Sequence, residues 1–182
     1  MTSYVQFDVW QSTAGVNRQT VLQVVSTNKS NTFTGTSVQT GSGYFIDVTG
    51  MAATITPSSS TSKILVMMSM YVGVTTASSG YQQNVRIRRN SSYPIIGDLE
   101  GVRPRVSGRI NMYAINTYSM QMFTGCWLDS PASTSALTYQ VEMGGYSSSP
   151  IVYVNRSETY QSSSNDYDGV PVSSITLMEI AQ

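Results

Sequence analysis

The chain has no histidine among its 182 residues and a single cysteine, Cys126. Without an imidazole, Ser–His–Asp and Cys–His catalytic arrangements and histidine metal ligands are excluded. One cysteine excludes an intramolecular disulfide and a cysteine-rich zinc or iron–sulfur site. Because Phe123, Gly125, Trp127 and Leu128 around it are small or apolar, the sequence predicts that Cys126 is a small buried side chain.

Charged residues are also scarce, at 11% of the chain, and ten Lys and Arg balance ten Asp and Glu. A net charge near zero removes the long-range attraction expected for nucleic acid, a membrane surface or a charged substrate. The many Ser and Thr and the twelve Tyr favour contact with protein surfaces or neutral glycans. The amino terminus lacks the pattern of a signal peptide, and the longest apolar run, 64–68, is too short to span a bilayer. We therefore expect synthesis in a cytoplasm, with no nucleic-acid or membrane partner.

Helical periodicity is nearly absent, whereas alternation of apolar and polar residues is frequent. It predicts strands at 21–25, 44–48, 51–56, 63–72, 85–89, 110–123, 137–143, 151–154 and 174–180. Turn residues separate these segments within one chain of ordinary domain length. The sequence therefore predicts one all-β domain, an antiparallel β-sandwich, in which the first and last strands pair.

Two predicted strands, 63–72 and 110–123, carry apolar residues on both faces. In an isolated two-sheet sandwich most strands expose one polar face to water. A second apolar face needs a cover, and further copies of the chain would supply it. We therefore expect a homo-oligomer, with a trimer as the preferred form.

Residues 1–20 differ from the rest, because a short apolar alternation of Val5, Phe7, Val9 and Trp10 is followed by a polar stretch. One interpretation is an N-terminal arm that docks on a partner protein through these side chains. The other is an edge strand of the same domain. The predicted division is an arm at 1–20 and a β-sandwich domain at 21–182.

Six of the ten basic residues fall between positions 86 and 109: Arg86, Arg88, Arg89, Arg103, Arg105 and Arg109. One interpretation is a surface contact patch for carboxylate or phosphate groups, which arginine binds with two parallel donors. The other is structural: the strand arginines prevent edge pairing, and the later arginines pair with Asp98 and Glu100. No aromatic ladder accompanies the cluster, so nucleic-acid binding is not expected.

Two pairs of acids, Asp98 with Glu100 and Asp166 with Asp168, are the remaining candidates for catalysis. Glycosidase carboxylates come together from distant segments, so adjacency along a loop is weak support. Residues 165–169 also offer oxygen ligands for calcium, but they lack the register of a calcium-binding loop, and a solvated turn is the preferred interpretation. We expect no enzymatic activity and no cofactor.

Several short segments, taken in order, are similar to one family of proteins: VLQVV (21–25), FIDVTG (45–50), ITPSSSTSKILV (55–66), GVRPR (101–105), LDSP (128–131) and ITLME (175–179). With them the chain resembles short virion structural proteins of tailed bacteriophages, including cyanophage types labelled tail-fibre-like. The resemblance covers about residues 20 to 182.

This resemblance implies a trimeric sandwich of the jelly-roll or tumour-necrosis-factor-like kind on the exterior of a virion. Fibre proteins of this kind carry a long amino-terminal shaft, whereas only about twenty residues precede the domain in this chain. The expectation is therefore a capsid decoration, or cement, protein bound to the major capsid protein or another virion protein. The alternative is a receptor-binding tip or adaptor of a tail fibre that contacts a host-surface glycan.

Overall fold

The computed structural model describes residues 20–40, 43–73, 82–111, 117–145, 151–159 and 169–182. Within these ranges the chain forms strands and turns but no helix, which confirms the predicted all-β class. The strands are β1 (Val21–Lys29), β2 (Phe33–Thr36), β3 (Val38–Thr40), β4 (Gly43–Ile55), β5 (Lys63–Gly73), β6 (Gln82–Arg89), β7 (Ser92–Ile95), β8 (Gly108–Asn111), β9 (Met120–Asp129), β10 (Leu137–Gly145), β11 (Ile151–Val154) and β12 (Ser173–Ile180).

The strands form two sheets in which every neighbouring pair is antiparallel. In sheet I, β1, β12, β5 and β9 lie side by side, and β11 continues from the end of β5 to β2. In sheet II, β3, β4, β10 and β6 lie side by side, and β6 pairs on its far side with β7 and β8. The expected pairing of the first and last strands is confirmed, since Val24 faces Met178 across β1 and β12.

The core lies between the sheets and is built from alternate residues of each strand, because successive side chains point to opposite faces. In sheet II, Val85 and Ile87 of β6 point inward, as predicted, while Arg86 and Arg88 point outward. The inward residues of β5, β12 and β10 complete most of the core: Ile64, Val66, Met68, Met70, Val72, Ile175, Leu177, Leu137, Tyr139, Val141 and Met143. The predicted antiparallel β-sandwich is therefore confirmed.

Two predicted strand boundaries are wrong. The segments 44–48 and 51–56 form the single strand β4, which bulges opposite Val141. Gly50 adopts a φ of 84° in this bulge, and the Gln140 side chain donates to the Val48 and Met51 carbonyl oxygens at 3.1 and 3.4 Å. Because Gly50 turns the backbone and Gln140 binds the carbonyl oxygens on either side of it, β4 continues through the bulge as one strand.

The predicted strand 110–123 is divided. Its first residues belong to β8 in sheet II, a turn occurs at Thr117 and Tyr118, and β9 then begins at Met120 in sheet I. The alternation of bulky side chains continues across this change of sheet because both strands contribute to the same sandwich. No glycine or proline marks the crossing in the sequence.

Candidate functional site

The outward side chains of sheet I stand in rows that cross four strands. In one row Val24 pairs with Met178, Met178 with Leu65, and Leu65 with Leu128. Adjacent strands lie about 4.8 Å apart, so these four apolar side chains form a continuous band that spans three strand spacings, about 14 Å, on the outside of the protein.

We call the outward residues of β1, β12, β5 and β9 the low-charge face. They are Val21, Val24, Ser26, Asn28, Ser174, Thr176, Met178, Ile180, Lys63, Leu65, Met67, Ser69, Tyr71, Met122, Thr124, Cys126 and Leu128. Among them only Lys63, at one end, is charged. Val24, Met67, Met122 and Leu128 are 40–57% exposed, so the apolar side chains of this face remain in contact with solvent in the single chain.

A groove of about 420 Å³ crosses the low-charge face between β9, β5 and β12. It is lined by Met67, Met68, Ser69, Thr124, Gly125, Cys126, Ser174 and Thr176. Cys126 is exposed here, so the prediction that it is buried is wrong. Phe123, Gly125 and Trp127 occupy the inward positions of β9, and alternation along the strand therefore turns Cys126 outward.

The outer face of sheet II is different, because it carries a chain of ion pairs. The Arg86 Nε and Nη2 atoms lie 2.6 Å from Glu142 Oε2, and Arg88 Nε lies 2.6 Å from Glu142 Oε1. Arg88 Nη2 also donates to Asp47 Oδ2 at 2.7 Å. The hydrogen bonds to Asp47 and Glu142 raise the pKa of Arg88. Two arginines and two carboxylates leave this cluster with no net charge.

Two aromatic rings enclose the Arg86 guanidinium. Its central carbon lies 3.8 Å from the ring centroid of Phe45 and 4.1 Å from that of Tyr93. The Tyr93 hydroxyl donates to Glu142 Oε1 at 3.3 Å. Burial raises the pKa of Tyr93, and the neighbouring Arg86 charge opposes this shift in part. Cation–π contact and hydrogen bonding therefore fix Arg86 in one position.

A cavity of about 280 Å³ adjoins this cluster, and we call it the Arg86 pocket. It is lined by Thr36, Val38, Phe45, Ile46, Asp47, Arg86, Tyr93 and Glu142. Val38 forms an exposed apolar rim, and the Asp47 side chain is half exposed. A neutral site with apolar walls and a few fixed polar groups suits a neutral polar ligand better than a strongly charged one.

The six arginines of the predicted contact patch lie in three environments. Arg86, Arg88 and Arg109 lie on the outer face of sheet II, where Arg109 neighbours Asn84. Arg89 points the other way and its Nη1 atom bonds Asp129 Oδ2 at 2.5 Å. The remaining two, Arg103 and Arg105, follow β7 in a loop. Three of the six are thus neutralised by carboxylates, and an anion-binding role for the set remains a prediction.

The structural interpretation of these arginines is wrong in its details. Strand β6 is not an edge, since β10 flanks one side and β7 and β8 flank the other. In the loop, Arg105 Nε donates to the Gly97 carbonyl at 2.7 Å, and the Arg103 backbone N–H donates to the Glu100 carbonyl at 3.2 Å. Among the described residues neither arginine forms an ion pair with Asp98 or Glu100.

The loop at 97–106 protrudes with two apolar side chains at its tip. The Gly97 N–H donates to the Val106 carbonyl at 3.1 Å and closes the loop at its base. A turn follows at Gly101, which has a φ of 55°. Leu99 is 72% exposed and Val102 is 93% exposed, the highest values among the large apolar side chains that the structure describes.

Several predicted residues lie outside the described ranges: Val5, Phe7, Val9 and Trp10 of the arm, and Asp166 and Asp168 of the calcium or acid-pair hypothesis. Asp98 and Glu100 are both exposed in the loop. In the ranges given above, no group of three or more Cys, Asp or Glu side chains is placed to hold a metal ion. The same ranges contain no helix that is long and apolar enough to cross a membrane.

Comparison of the chain with protein-family models and with curated proteins finds no match.

Proposed function

We propose that this chain is a structural protein of a bacteriophage virion, a homotrimer that decorates the outside of the capsid and binds the major capsid protein. The virion assignment is supported by the ordered segments similar to short phage virion proteins. The low-charge face is the structural observation that carries the assembly part of the proposal. The jelly-roll or tumour-necrosis-factor-like form belongs to the same proposal.

The composition of the low-charge face favours contact with protein over contact with water. The water-facing side of an antiparallel sheet usually presents polar and charged residues. Cores of protein interfaces are instead depleted in charge and enriched in methionine and aromatic residues. Met67, Met122, Met178 and Tyr71 match that composition, and their face carries one charge at its margin.

The size of the low-charge face is sufficient for a specific contact. With half a spacing added beyond each outer strand, the four strands cover about 19 Å, and the outward residues of β5 from 63 to 71 extend about 27 Å. A contact that covers the whole face would bury about 500 Å² on each copy, or about 1,000 Å² in total, which is the least expected of a specific interface.

The proposal includes no enzymatic activity, and the positions of the described acids support this. Asp129, Asp47 and Glu142 are held in ion pairs, and Glu179 accepts hydrogen bonds from Gln23 and Ser58. Each of these acids joins strands or a loop together. Their structural roles account for their partners, and for the burial of Asp129, Glu142 and Glu179, without a reaction.

Electron microscopy of virions labelled with antibody to this chain tests the location. Label over the head with none at the tail is the expected result. Label confined to the tail would contradict the decoration role and favour the fibre alternative. Absence of label from purified virions would contradict a virion role of either kind.

The Arg86 pocket favours a second candidate function, that of a receptor-binding tip or adaptor of a tail fibre. Its half-exposed carboxylate, tyrosine hydroxyl and apolar rim suit a neutral host-surface glycan. Under this alternative, the purified chain blocks phage adsorption and Asp47→Ala weakens the block. The matched variant Asp98→Ala, in the exposed loop, would leave it unchanged. If a saturating amount of the purified chain does not reduce phage adsorption, this alternative is contradicted.

A further inference from the structure

The tip of the 97–106 loop is an apolar group without a cover in the single chain. Leu99 and Val102 project from it, and Asp98, Glu100, Arg103 and Arg105 flank them with charges that sum to zero. An apolar centre surrounded by a polar rim is the arrangement found in protein interfaces.

The loop is held in shape before any partner binds. Three hydrogen bonds within it join Gly97 to Val106, Arg105 to Gly97 and Arg103 to Glu100. At its base the Ser107 hydroxyl donates to the Ile95 carbonyl. A group that is already ordered loses less conformational entropy on binding than a flexible one.

The groove on the low-charge face is concave, whereas the tip of the 97–106 loop projects, and both are uncharged at their centre. Its volume of about 420 Å³ is of the order that holds small apolar ligands, and the outward side chain of Met67 provides an adaptable apolar wall. Its other lining groups are hydroxyls, a thiol and a glycine, so an aliphatic side chain entering it meets no charge.

Symmetry requires two different surfaces for a ring of three. A contact between two identical faces joins two copies and is then complete, whereas a ring needs a donor surface and a distinct acceptor surface on every copy. A contact of the low-charge face with its own copy would give a dimer, so in a ring of three this face contacts a different area of the next copy. A trimer needs a second surface that fits this face.

We infer that each copy of this chain inserts Leu99 and Val102 of its loop into the groove beside Cys126 of the next copy, closing the ring of three. The inference rests on the proposed homotrimer and names its contact. Each protomer then donates one loop tip and accepts another, while the four charges around each tip remain at the rim of the contact.

Disulfide trapping between two tagged forms tests the inference, because wild type has only the groove cysteine. One form is wild type and the other carries Val102→Cys with Cys126→Ser. Coexpressed and mildly oxidised, they are expected to give a species of two different chains on a denaturing gel. The control form, Val38→Cys with Cys126→Ser, places the same thiol at an exposed apolar position on sheet II and is expected to remain unlinked.

A second measurement does not depend on thiol geometry. Val102→Glu places a charge at a side chain that is 93% exposed, so folding is unaffected while the groove contact is lost. The mass by light scattering is expected to fall from three chains to one, and Val38→Glu is expected to leave it at three.

The remaining outcomes separate the inference from the proposed function. Linkage of wild-type chains through two copies of Cys126 would show a face-to-face contact and overturn the inference. A trimeric mass with no linkage at position 102 and no effect of Val102→Glu would also overturn it while leaving the homotrimer intact. A monomeric wild-type mass would contradict the homotrimer itself.

Discussion

Tyr139 and Asp129 tie the two sheets together, since the Tyr139 hydroxyl on β10 donates to Asp129 Oδ2 on β9 at 2.7 Å. Arg89 Nη1 donates to the same oxygen at 2.5 Å from β6. Burial raises the pKa of Tyr139, and the bond to Asp129 adds to the effect. One buried carboxylate thus joins β9 of sheet I to two strands of sheet II.

Removal of Asp129 is expected to destabilise the fold strongly. Asp129→Ala leaves Arg89 largely buried without its partner, which costs about 3–5 kcal/mol in unfolding free energy. Tyr139→Phe removes one hydrogen bond to a charged acceptor and costs about 1.5–3 kcal/mol. Urea unfolding measures both. Asp98→Ala, at an exposed acid, is the control. An equal loss of unfolding free energy in the Asp98 and Asp129 variants would contradict the claim that Asp129 joins the two sheets.

Glu142 and Asp47 both bind Arg88, but only the Glu142 carboxylate is buried. Glu142→Ala leaves both Arg86 and Arg88 without their shared acceptor and is expected to cost about 3–5 kcal/mol. Asp47→Ala, at a half-exposed partner, is expected to cost at most about 1 kcal/mol. The same urea measurement compares them, and a larger loss for Asp47→Ala than for Glu142→Ala would contradict the role of Glu142 as the buried acceptor shared by Arg86 and Arg88.

The Glu179 carboxyl makes the free energy of unfolding depend on pH. Burial alone raises the pKa of its carboxyl, but hydrogen bonds from the Gln23 amide and from the Ser58 N–H and hydroxyl outweigh burial and lower the pKa to about 2. Because the folded value lies below the ordinary value of 4.5, this stabilisation is present above about pH 4.5 and is lost as the pH falls towards 2.

The matched variant Glu179→Gln isolates this effect. At neutral pH it is expected to lower the unfolding free energy by about 1.5–3 kcal/mol, since a charged acceptor becomes neutral. Unfolding curves at several pH values should show the difference from wild type shrinking between pH 4.5 and 2. A difference that does not change over that range would rule out ionised Glu179 as its source.

Gly125 is required by the Trp127 ring, which lies where a Cβ would be. Gly125→Ala is expected to displace the ring and cost about 1–3 kcal/mol through overpacking. Gly97→Ala is the control, because its nearest neighbour, the Val106 carbonyl oxygen, lies at 3.9 Å. Thermal unfolding followed by tryptophan fluorescence compares the two, and equal midpoints would contradict the close packing.

Local alternation was sufficient to predict the fold class and the direction of several side chains. It placed Val85 and Ile87 inward and Arg86 and Arg88 outward, because a strand presents its faces with a period of two. It failed where the chain changes sheets between β8 and β9, since the same alternation serves either sheet. It also failed for Cys126, whose apolar neighbours gave no information on the strand's orientation.

The candidate surfaces depend on contacts between distant segments. Arg86 and Arg88 bind Glu142, which lies 56 and 54 positions away, and nothing in the spacing identifies this partner over nearby Asp98. The low-charge face needs the register of four strands before Val24, Leu65, Leu128 and Met178 form one row. The apolar outward residues of 63–72 were the available signal, and they led to the expectation of an oligomer.

The mass of the chain in solution tests most directly the claim that the low-charge face is an interface. Light scattering at micromolar concentration is expected to give three times the 19.8 kDa of one chain. Met67→Glu, which places a charge at the centre of that face, is expected to give one chain mass with an unchanged far-ultraviolet circular dichroism spectrum. A monomeric wild type, or a trimer that Met67→Glu leaves intact, would contradict the account.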